Sequence, residues 1–295
     1  MKIEFTKMHG LGNDFVVVNA IKDSSLANLG TDELSRLSVH LCNRRFAVGA
    51  DQLLLLCPSQ RADFRMRIFN ADGSEVEMCG NGIRCLAKYI WDRGLSEKKV
   101  LGIETPAGII RPEICDGLVR VDMGMPEFSP EKIPIDIQET NSTVLPETAV
   151  FIKYPLEVEG RVLDITCLSM GNPHCVIVVD DAGTFPVSYY GPMIENHQIF
   201  PRRTNVEFVE ILNDKEIKMR VWERGAGETM ACGTGASAAA VATSLIGITG
   251  KDVTVHLPGG DLFIEWAGDG HIYMAGPAVT VFDGYINIEV YGREK

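Results

Sequence analysis

Two cysteines stand in the same setting 153 positions apart, Cys79 in Cys79-Gly80-Asn81-Gly82 and Cys232 in Cys232-Gly233-Thr234-Gly235. Each has the same approach: Arg67-Ile-Phe-Asn70 and then Glu75 before the first, Arg220-Val-Trp-Glu223 and then Glu228 before the second. A cysteine leading into a glycine-rich helix start is a candidate reactive thiol. The glycines let the backbone approach a ligand closely, and the free N–H groups of the first helical turn point at whatever lies beside the sulfur. Such a turn attracts an anion, for example a substrate carboxylate. It is also expected to lower a thiol pKa from about 8.5 towards neutrality. One thiolate and one thiol on opposite faces of a carbon invert its configuration: one takes the proton and the other delivers a new one. That is the chemistry of a racemase or epimerase working without a cofactor.

Removing the α-proton of an amino acid is difficult because charge develops beside a carboxylate that is already negative. Pyridoxal phosphate is the usual electron sink and needs a Schiff-base lysine. Only Lys88 lies near either motif, on the helix itself and not at its N-terminus. Preorganised donors around the carboxylate must then supply the stabilisation. Polar residues recur at matched positions: Asn13 with Asn172, Gln52 with Asn205, Asn70 with Glu223. Amides in turns usually satisfy local backbone. The five amides and the Glu223 carboxylate at matched positions beside Arg224 are instead expected to line a buried cleft, with Arg224 offering a bidentate fork to a carboxylate and Glu223 accepting from an ammonium. His174 has two readings, a site role after Asn172 or simple packing beside Pro173. Neither glycine turn carries the Gly-Lys-Ser/Thr ending of a phosphate-binding loop.

The other cysteines, Cys42, Cys57, Cys85, Cys115, Cys167 and Cys175, are expected to be small buried hydrophobes. No CxxC pair occurs, and Cys79 and Cys85 are poorly spaced for zinc. With no secretory signal, a disulfide framework is not expected.

Positioning these groups requires two similar halves. Short β-branched stretches bounded by turn residues predict strands at Phe15–Asn19, Phe64–Phe69, Leu118–Asp122, Cys175–Val179, Lys218–Trp222, Val253–His256 and Tyr285–Glu289, and Leu53–Cys57 reads as a buried strand. Asn81–Trp91 and the alanine-rich Thr234–Leu245 predict helices, the second buried all round. Glu104-Thr-Pro-Ala-Gly108 and His256-Leu-Pro-Gly-Gly260 follow them at matching distances, and Gly12-Asn13-Asp14-Phe15 matches Gly171-Asn172-Pro173-His174 at an offset of 159. The expectation is two similar halves, each running strand, Gly-Asn turn, strands, cysteine turn, helix and strands. Their expected bounds are residues 1–123 with 278–295, and residues 124–277. Lys132–Glu147 reads as a surface excursion.

The chain has 295 residues and a formal charge of −12, which argues against a nucleic-acid partner. The N-terminus lacks the apolar core of a signal peptide and no apolar run reaches membrane-span length. A cytoplasmic protein is expected.

Met8-His-Gly-Leu-Gly-Asn-Asp-Phe15, Phe69-Asn-Ala-Asp-Gly-Ser-Glu75, Cys79-Gly-Asn-Gly-Ile-Arg-Cys85, Ser169-Met-Gly-Asn-Pro-His-Cys175, Glu223-Arg-Gly-Ala-Gly-Glu-Thr229, Ala231-Cys-Gly-Thr-Gly-Ala236 and Met274-Ala-Gly-Pro277 together resemble the diaminopimelate epimerase family over essentially the whole chain. The resemblance implies interconversion of LL- and meso-diaminopimelate without pyridoxal phosphate or metal, on the route to lysine and peptidoglycan. It implies acid/base roles for Cys79 and Cys232, assistance in proton transfer from His174 and Glu223, and substrate contacts at Asn13, Gln52, Asn70, Gly80, Asn81, Asn172, Asn205, Glu223, Arg224, Gly233 and Thr234. It further implies an α/β (α+β) fold of two pseudo-symmetric domains, each a curved, mostly antiparallel sheet around a central helix, and a homodimer with Tyr273 at the interface. Thr234 stands where serine is common, which keeps a hydroxyl. A proline or hydroxyproline racemase shares the two-thiol logic, but its substrate has one carboxylate and no distal amino-acid end. A thiol redox protein and a non-catalytic amino-acid-binding module are rivals from other classes.

Overall fold

The computed structural model describes residues 2–22, 26, 28–77, 79–136 and 152–288. The chain divides into two compact units, Met1–Val121 with Gly276–Lys295, and Asp122–Ala275. Each is built from the same sequence of elements.

In the first unit β1 (Lys2–Gly10) and β2 (Asn13–Asn19) form a hairpin, followed by helix α1 (Thr31–Leu41), β3 (Gln52–Cys57), β4 (Phe64–Asn70) and β5 (Glu75–Val76). Helix α2 (Gly80–Asp92), β6 (Ile103–Thr105) and β7 (Gly108–Ile110) complete this run, and β8 (Glu113–Cys115) and β9 (Leu118–Asp122) make a hairpin. The tail strand, β19 (Val279–Asn287), pairs antiparallel with β1, giving the order β19-β1-β2-β3-β4-β6-β7 with β5 on β4. The β2–β3 and β4–β6 pairs are parallel and the others antiparallel.

The second unit repeats this. Its strands are β10 (Tyr154–Val158), β11 (Arg161–Ser169), β12 (Pro173–Val178), β13 (Asn205–Ile211), β14 (Glu216–Glu223), β15 (Gly227–Thr229), β16 (Asp252–Leu257), β17 (Gly260–Trp266) and β18 (Ile272–Gly276). Helix α3 (Val187–Glu195) precedes β13 and helix α4 (Gly233–Leu245) precedes β16. The strand order is β10-β11-β12-β13-β14-β16-β17-β18 with β15 on β14, and again only two pairs are parallel, β12–β13 and β14–β16. Each sheet is therefore mixed and mostly antiparallel, as the α+β expectation has it.

Each sheet wraps its cysteine-led helix on one face. Helix α2 buries Ile83, Leu86, Ala87 and Ile90 against β1 to β4, while α4 buries Ala236, Ala238, Ala239, Val241 and Ala242 against β11 to β14. Alternation along a strand sends successive side chains to opposite faces. Val16, Val18, Leu53, Leu55 and Phe69 thus share a core with Leu34, Leu37 and Leu41 of α1, and Cys175, Ile177, Val206 and Phe208 share one with Val187 and Ile194 of α3. The sequence reading had not recognised α1 and α3. Helix α1 carries a legible apolar spacing at Leu34, Leu37 and Leu41, but α3 contains Gly191 and Pro192, so its local preference opposes a helix and packing overrides it. The close approach of α3 to β14 requires Gly191, where a Cβ would meet Trp222 at 2.6 Å.

The matched Arg and Glu residues turn out to be ion pairs. Arg67 Nε lies 2.7 Å from Glu75 Oε1 and Arg220 Nε lies 2.7 Å from Glu228 Oε1, each clamping a short strand to the longer one before a cysteine turn. Two expectations need correction. Cys115 is exposed and Cys57 only partly buried, because both end short strands and do not sit in a sheet centre. Ile133 and Ile135, in the anticipated surface excursion, are buried in the core of the second unit. Residues 137–151 and 289–295, including the Glu139–Glu147 and Gly292–Lys295 stretches, lie outside the described residues.

The β2 turn is anchored by charge. Asp14 receives Lys7 Nζ at 2.7 Å and both terminal nitrogens of Arg44 at 2.9 and 2.7 Å, and Arg44 also reaches Asp51 at 2.6 Å. Burial by itself would raise the Asp14 carboxyl, but hydrogen bonds from Arg44 and Lys7 and one with Asp51 overcome this and hold it well below the usual carboxylate range. A carboxyl depressed on folding stabilises the native state above its unfolded value of about 3.9, and that contribution is lost as pH falls through the folded value. Urea midpoints measured from pH 6 down to pH 3 should therefore fall more steeply for the wild type than for Asp14→Asn. Parallel curves would remove Asp14 from the account.

Candidate active site

Both cysteines are helix N-caps. Cys79 has extended backbone (φ −141°, ψ 116°) and its sulfur accepts from Gly82 N at 3.4 Å; Cys232 (φ −127°, ψ 115°) accepts from Gly235 N at 3.4 Å. The sulfur takes the position that serine or aspartate usually fills, satisfying one of the orphan N–H groups of the first turn. A thiolate there also gains from the positive end of the helix.

In the first half-site Asn13 Oδ1 is the acceptor shared by the Cys79 thiol at 3.7 Å and by Asn81 Nδ2 at 3.3 Å, while Asn13 Nδ2 donates to Asp51 at 3.0 Å. Gln52 and Asn70 are opposite each other in the β3–β4 register, and Gln52 Nε2 donates to Asn70 Oδ1 at 2.8 Å. Gln52 Oε1 is buried without a hydrogen-bond partner among the described residues, an acceptor left over at the strand end. Beneath the turn lies Arg84, fully buried, donating to Gly80 O at 3.3 Å and Asn81 Oδ1 at 2.9 Å. It holds the amide that in turn holds Asn13.

The second half-site uses the same strand ends with different chemistry. His174 is opposite Asn205 in the parallel β12–β13 register, as Phe15 is opposite Gln52 in the first unit. Asn205 is buried and its amide is consumed internally, Nδ2 donating to Pro173 O at 2.9 Å and Oδ1 accepting from Arg224 N at 2.9 Å. Its part is to fix the Arg224 backbone. The Arg224 side chain is exposed, with Nη1 donating to Arg202 O at 3.2 Å, and Glu223 accepts from the Thr229 hydroxyl. Thr234 Oγ1 lies 3.4 Å from Cys232 Sγ. His174 is fully buried, with Nδ1 2.6 Å from Glu207 Oε1 and Nε2 2.9 Å from Asn172 Oδ1.

The expected lowering of the thiol pKa does not hold for Cys232 in this state. Burial pushes it well above its ordinary value, and Glu223 and Glu207 add to the rise, outweighing the Thr234 hydroxyl and the Gly235 N–H. Desolvation of a closely packed sulfur beside carboxylates favours the thiol over the anion.

The structure brings Cys79, Gly80, Asn81 and Asn13 into one hydrogen-bonded turn, and Cys232, Gly233 and Thr234 into its counterpart. Tyr273, in β18, stacks on His271 with ring centroids 6.4 Å apart. Arg84 and Glu207 were not singled out from the sequence. Both are legible in hindsight as breaks in the repeat: at the 153 offset Leu54 falls on Glu207 and Arg84 on Ser237. Among the described residues no group of His, Cys, Asp or Glu is arranged to hold a metal ion, and no helix is long and apolar enough to cross a membrane.

Comparison with known proteins agrees with this architecture. Solved structures of similar fold include a Bacillus anthracis phenazine biosynthesis protein of the PhzF family (TM-score 0.69, 20% identity, covering 98% of this chain and 100% of that one) and an Agrobacterium vitis hydroxyproline epimerase (TM-score 0.66, 15% identity, 99% and 93%). At those identities they show the fold alone. The diaminopimelate epimerases of Moorella thermoacetica and Carboxydothermus hydrogenoformans are 55% and 53% identical, each over 96% of this chain and 98% of its own length. The family model described as diaminopimelate epimerase matches residues 5–129 and 166–281, and with the duplicated cysteine caps inside that match the chain belongs to the diaminopimelate epimerase family.

Proposed function

We propose that this protein is an isomerase that epimerises LL-diaminopimelate to the meso form, on the route to lysine and peptidoglycan, by a two-base mechanism with Cys79 and Cys232 as the acid/base pair. The observation that carries the reading is the repeated cysteine N-cap, each sulfur 3.4 Å from a first-turn glycine N–H. A thiol at the same helix position in each unit supplies the acid and the base that inversion at carbon needs. One sulfur, as thiolate, takes the α-proton; the other, as thiol, delivers a proton to the opposite face. The first-turn N–H groups at Gly80, Asn81, Gly233 and Thr234 suit the α-carboxylate, where charge develops as the proton leaves.

Asn13, Gln52, Asn70, Asn172, Glu223 and Arg224 are proposed as substrate contacts. The leftover Gln52 Oε1 and the Glu223 carboxylate fit acceptors for ammonium, and the exposed Arg224 guanidinium fits a distal carboxylate. Asn205 belongs with them through the Arg224 backbone. His174 and Glu223 assist proton transfer in this reading. The catalytic steps require no cofactor. The preference for diaminopimelate over proline rests on the 55% identical relative of that name, whereas the hydroxyproline epimerase shares only 15% identity. A cytoplasmic homodimer with Tyr273 at its interface completes the proposal.

Cys79→Ala and Cys232→Ala should each lose at least about 10²-fold in kcat, the scale of a general acid or base, while circular dichroism stays unchanged. Full epimerisation by either variant refutes the two-base mechanism, and proline turnover without diaminopimelate turnover refutes the substrate. Tyr273→Glu should shift the species in light scattering from dimer to monomer; an unchanged mass takes Tyr273 out of the interface.

A further inference from the structure

The two half-sites are matched in backbone but not in what stands behind the cysteine turn. In the first unit a Cβ at Gly82 would meet Leu54 at 3.2 Å and Phe15 at 3.5 Å; in the second, a Cβ at Gly235 would meet Glu207 Oε1 at 2.8 Å and Cys232 Sγ at 3.4 Å. An apolar pair is thus replaced by a buried acid and imidazole, Phe15 by His174 and Leu54 by Glu207. Burying a carboxylate is costly unless it is paired and hydrogen-bonded. Nothing in the proposed reaction uses Glu207.

Glu207 and His174 are both fully buried, and Glu207 Oε2 has no hydrogen-bond partner among the described residues. At 2.6 Å from His174 Nδ1, Glu207 Oε1 must share a proton with it. If the couple held only that proton on Nδ1, it would be a net anion in a dry site already facing the Glu223 charge. With a second proton it is neutral overall, either as imidazolium with carboxylate or as neutral imidazole with carboxylic acid. Burial raises the Glu207 carboxyl, which makes the second form accessible. In both forms Nε2 carries a hydrogen, and that hydrogen points at Asn172 Oδ1, 2.9 Å away. The Asn172 amide is then held by its oxygen, and its NH₂ faces away from the ring from a half-buried position at the strand start.

We propose that Glu207 is a positioning residue that acts through His174 to fix the Asn172 side chain with its N–H groups presented to an anionic group of the substrate. The inference rests on the reading of Asn172 as a substrate contact. In the first unit Asn13 is held differently, by Asp51, Asn81 and the Cys79 thiol, with no carboxylate–imidazole pair behind it. The asparagine at the Cys232 side depends on a buried proton for its orientation, and the one at the Cys79 side does not.

The test is a set of variants assayed with LL-diaminopimelate. Glu207→Leu, which copies the first unit, frees His174 to take either tautomer and should raise KM about tenfold, the cost of one hydrogen bond to a charged group. Glu207→Gln should keep KM within about threefold, because its amide N–H donates to Nδ1 and leaves the hydrogen on Nε2. In an Asn172→Ala background Glu207→Leu should add nothing to the rise in KM, since both act on one contact. A wild-type KM for Glu207→Leu, an equal defect for Glu207→Gln, or additive effects would each overturn the proposal. If Glu207→Leu does not fold, the pair His174→Phe with Glu207→Leu reproduces the Phe15 and Leu54 packing and should show the KM of Asn172→Ala; a wild-type KM overturns it. Nitrogen-15 shifts of labelled histidine read the same point without turnover. His174 Nε2 should be protonated in wild type and in Glu207→Gln, and an unprotonated Nε2 in wild type ends the proposal. Failure of the wild type to epimerise diaminopimelate would instead overturn the function and leave this tautomer result standing.

Discussion

The structure depends on a sulfur at the start of a helix. Cys79 and Cys232 each end an approach strand in extended backbone, turn the chain, and accept the N–H of the glycine three residues on. A sulfur in that position has two constraints to meet at once. It must close the helix start, which asks for an acceptor, and the acid/base role proposed for it asks that it also give up and take a proton. The glycines at 82 and 235 reconcile these demands, because a side chain at either position would press on the residues that line the turn. The approach is kept rigid by the Arg67–Glu75 and Arg220–Glu228 pairs, partly shielded clamps that set the register of β5 and β15.

A repeated scaffold does not make repeated chemistry. The helix α2 turn rests on a buried guanidinium, Arg84, wired through Asn81 to Asn13; the α4 turn rests on a buried carboxylate and imidazole, Glu207 and His174, wired to Asn172. Ser237, the counterpart of Arg84, merely returns its hydroxyl to Gly233 O. The groups behind the two sulfurs differ, a buried guanidinium in one unit and a carboxylate–imidazole couple in the other, so the two thiols do not share one environment. Cys232 is pushed towards the thiol by burial, Glu223 and Glu207. An enzyme that must hold one thiol and one thiolate is served by such an imbalance, since a symmetric pair would have no preferred resting state.

Much of this was legible in the chain. The fixed 153 offset carried the two-unit architecture, because matched arginines, glutamates and glycines fell where the second sheet, from β10 to β17, repeats the order of the first. The apolar spacing of Asn81–Trp91 and the alanines of Thr234–Leu245 gave both central helices within a residue of their observed ends. Helix α3 escaped notice because Gly191 and Pro192 deny it local propensity; it exists because Val187 and Ile194 have a sheet to cover. Asn205 was recognisable as a matched amide, yet its hydrogen bonds run to Pro173 and Arg224, which spacing does not reveal.

Residue order alone determined the duplicated thiol, the glycines after it and the elements that carry them, since those are local patterns with local causes. What stands behind each thiol was decided only in three dimensions. Leu54 and Glu207 are each the third residue of an unremarkable strand, and Phe15 and His174 lie far from them in sequence. Only the parallel pairing of β2 with β3 and of β12 with β13 turns each couple onto the same helix face. There, removed from water, a single buried carboxylate changes which atoms hold protons, an effect it would not have on a solvated surface.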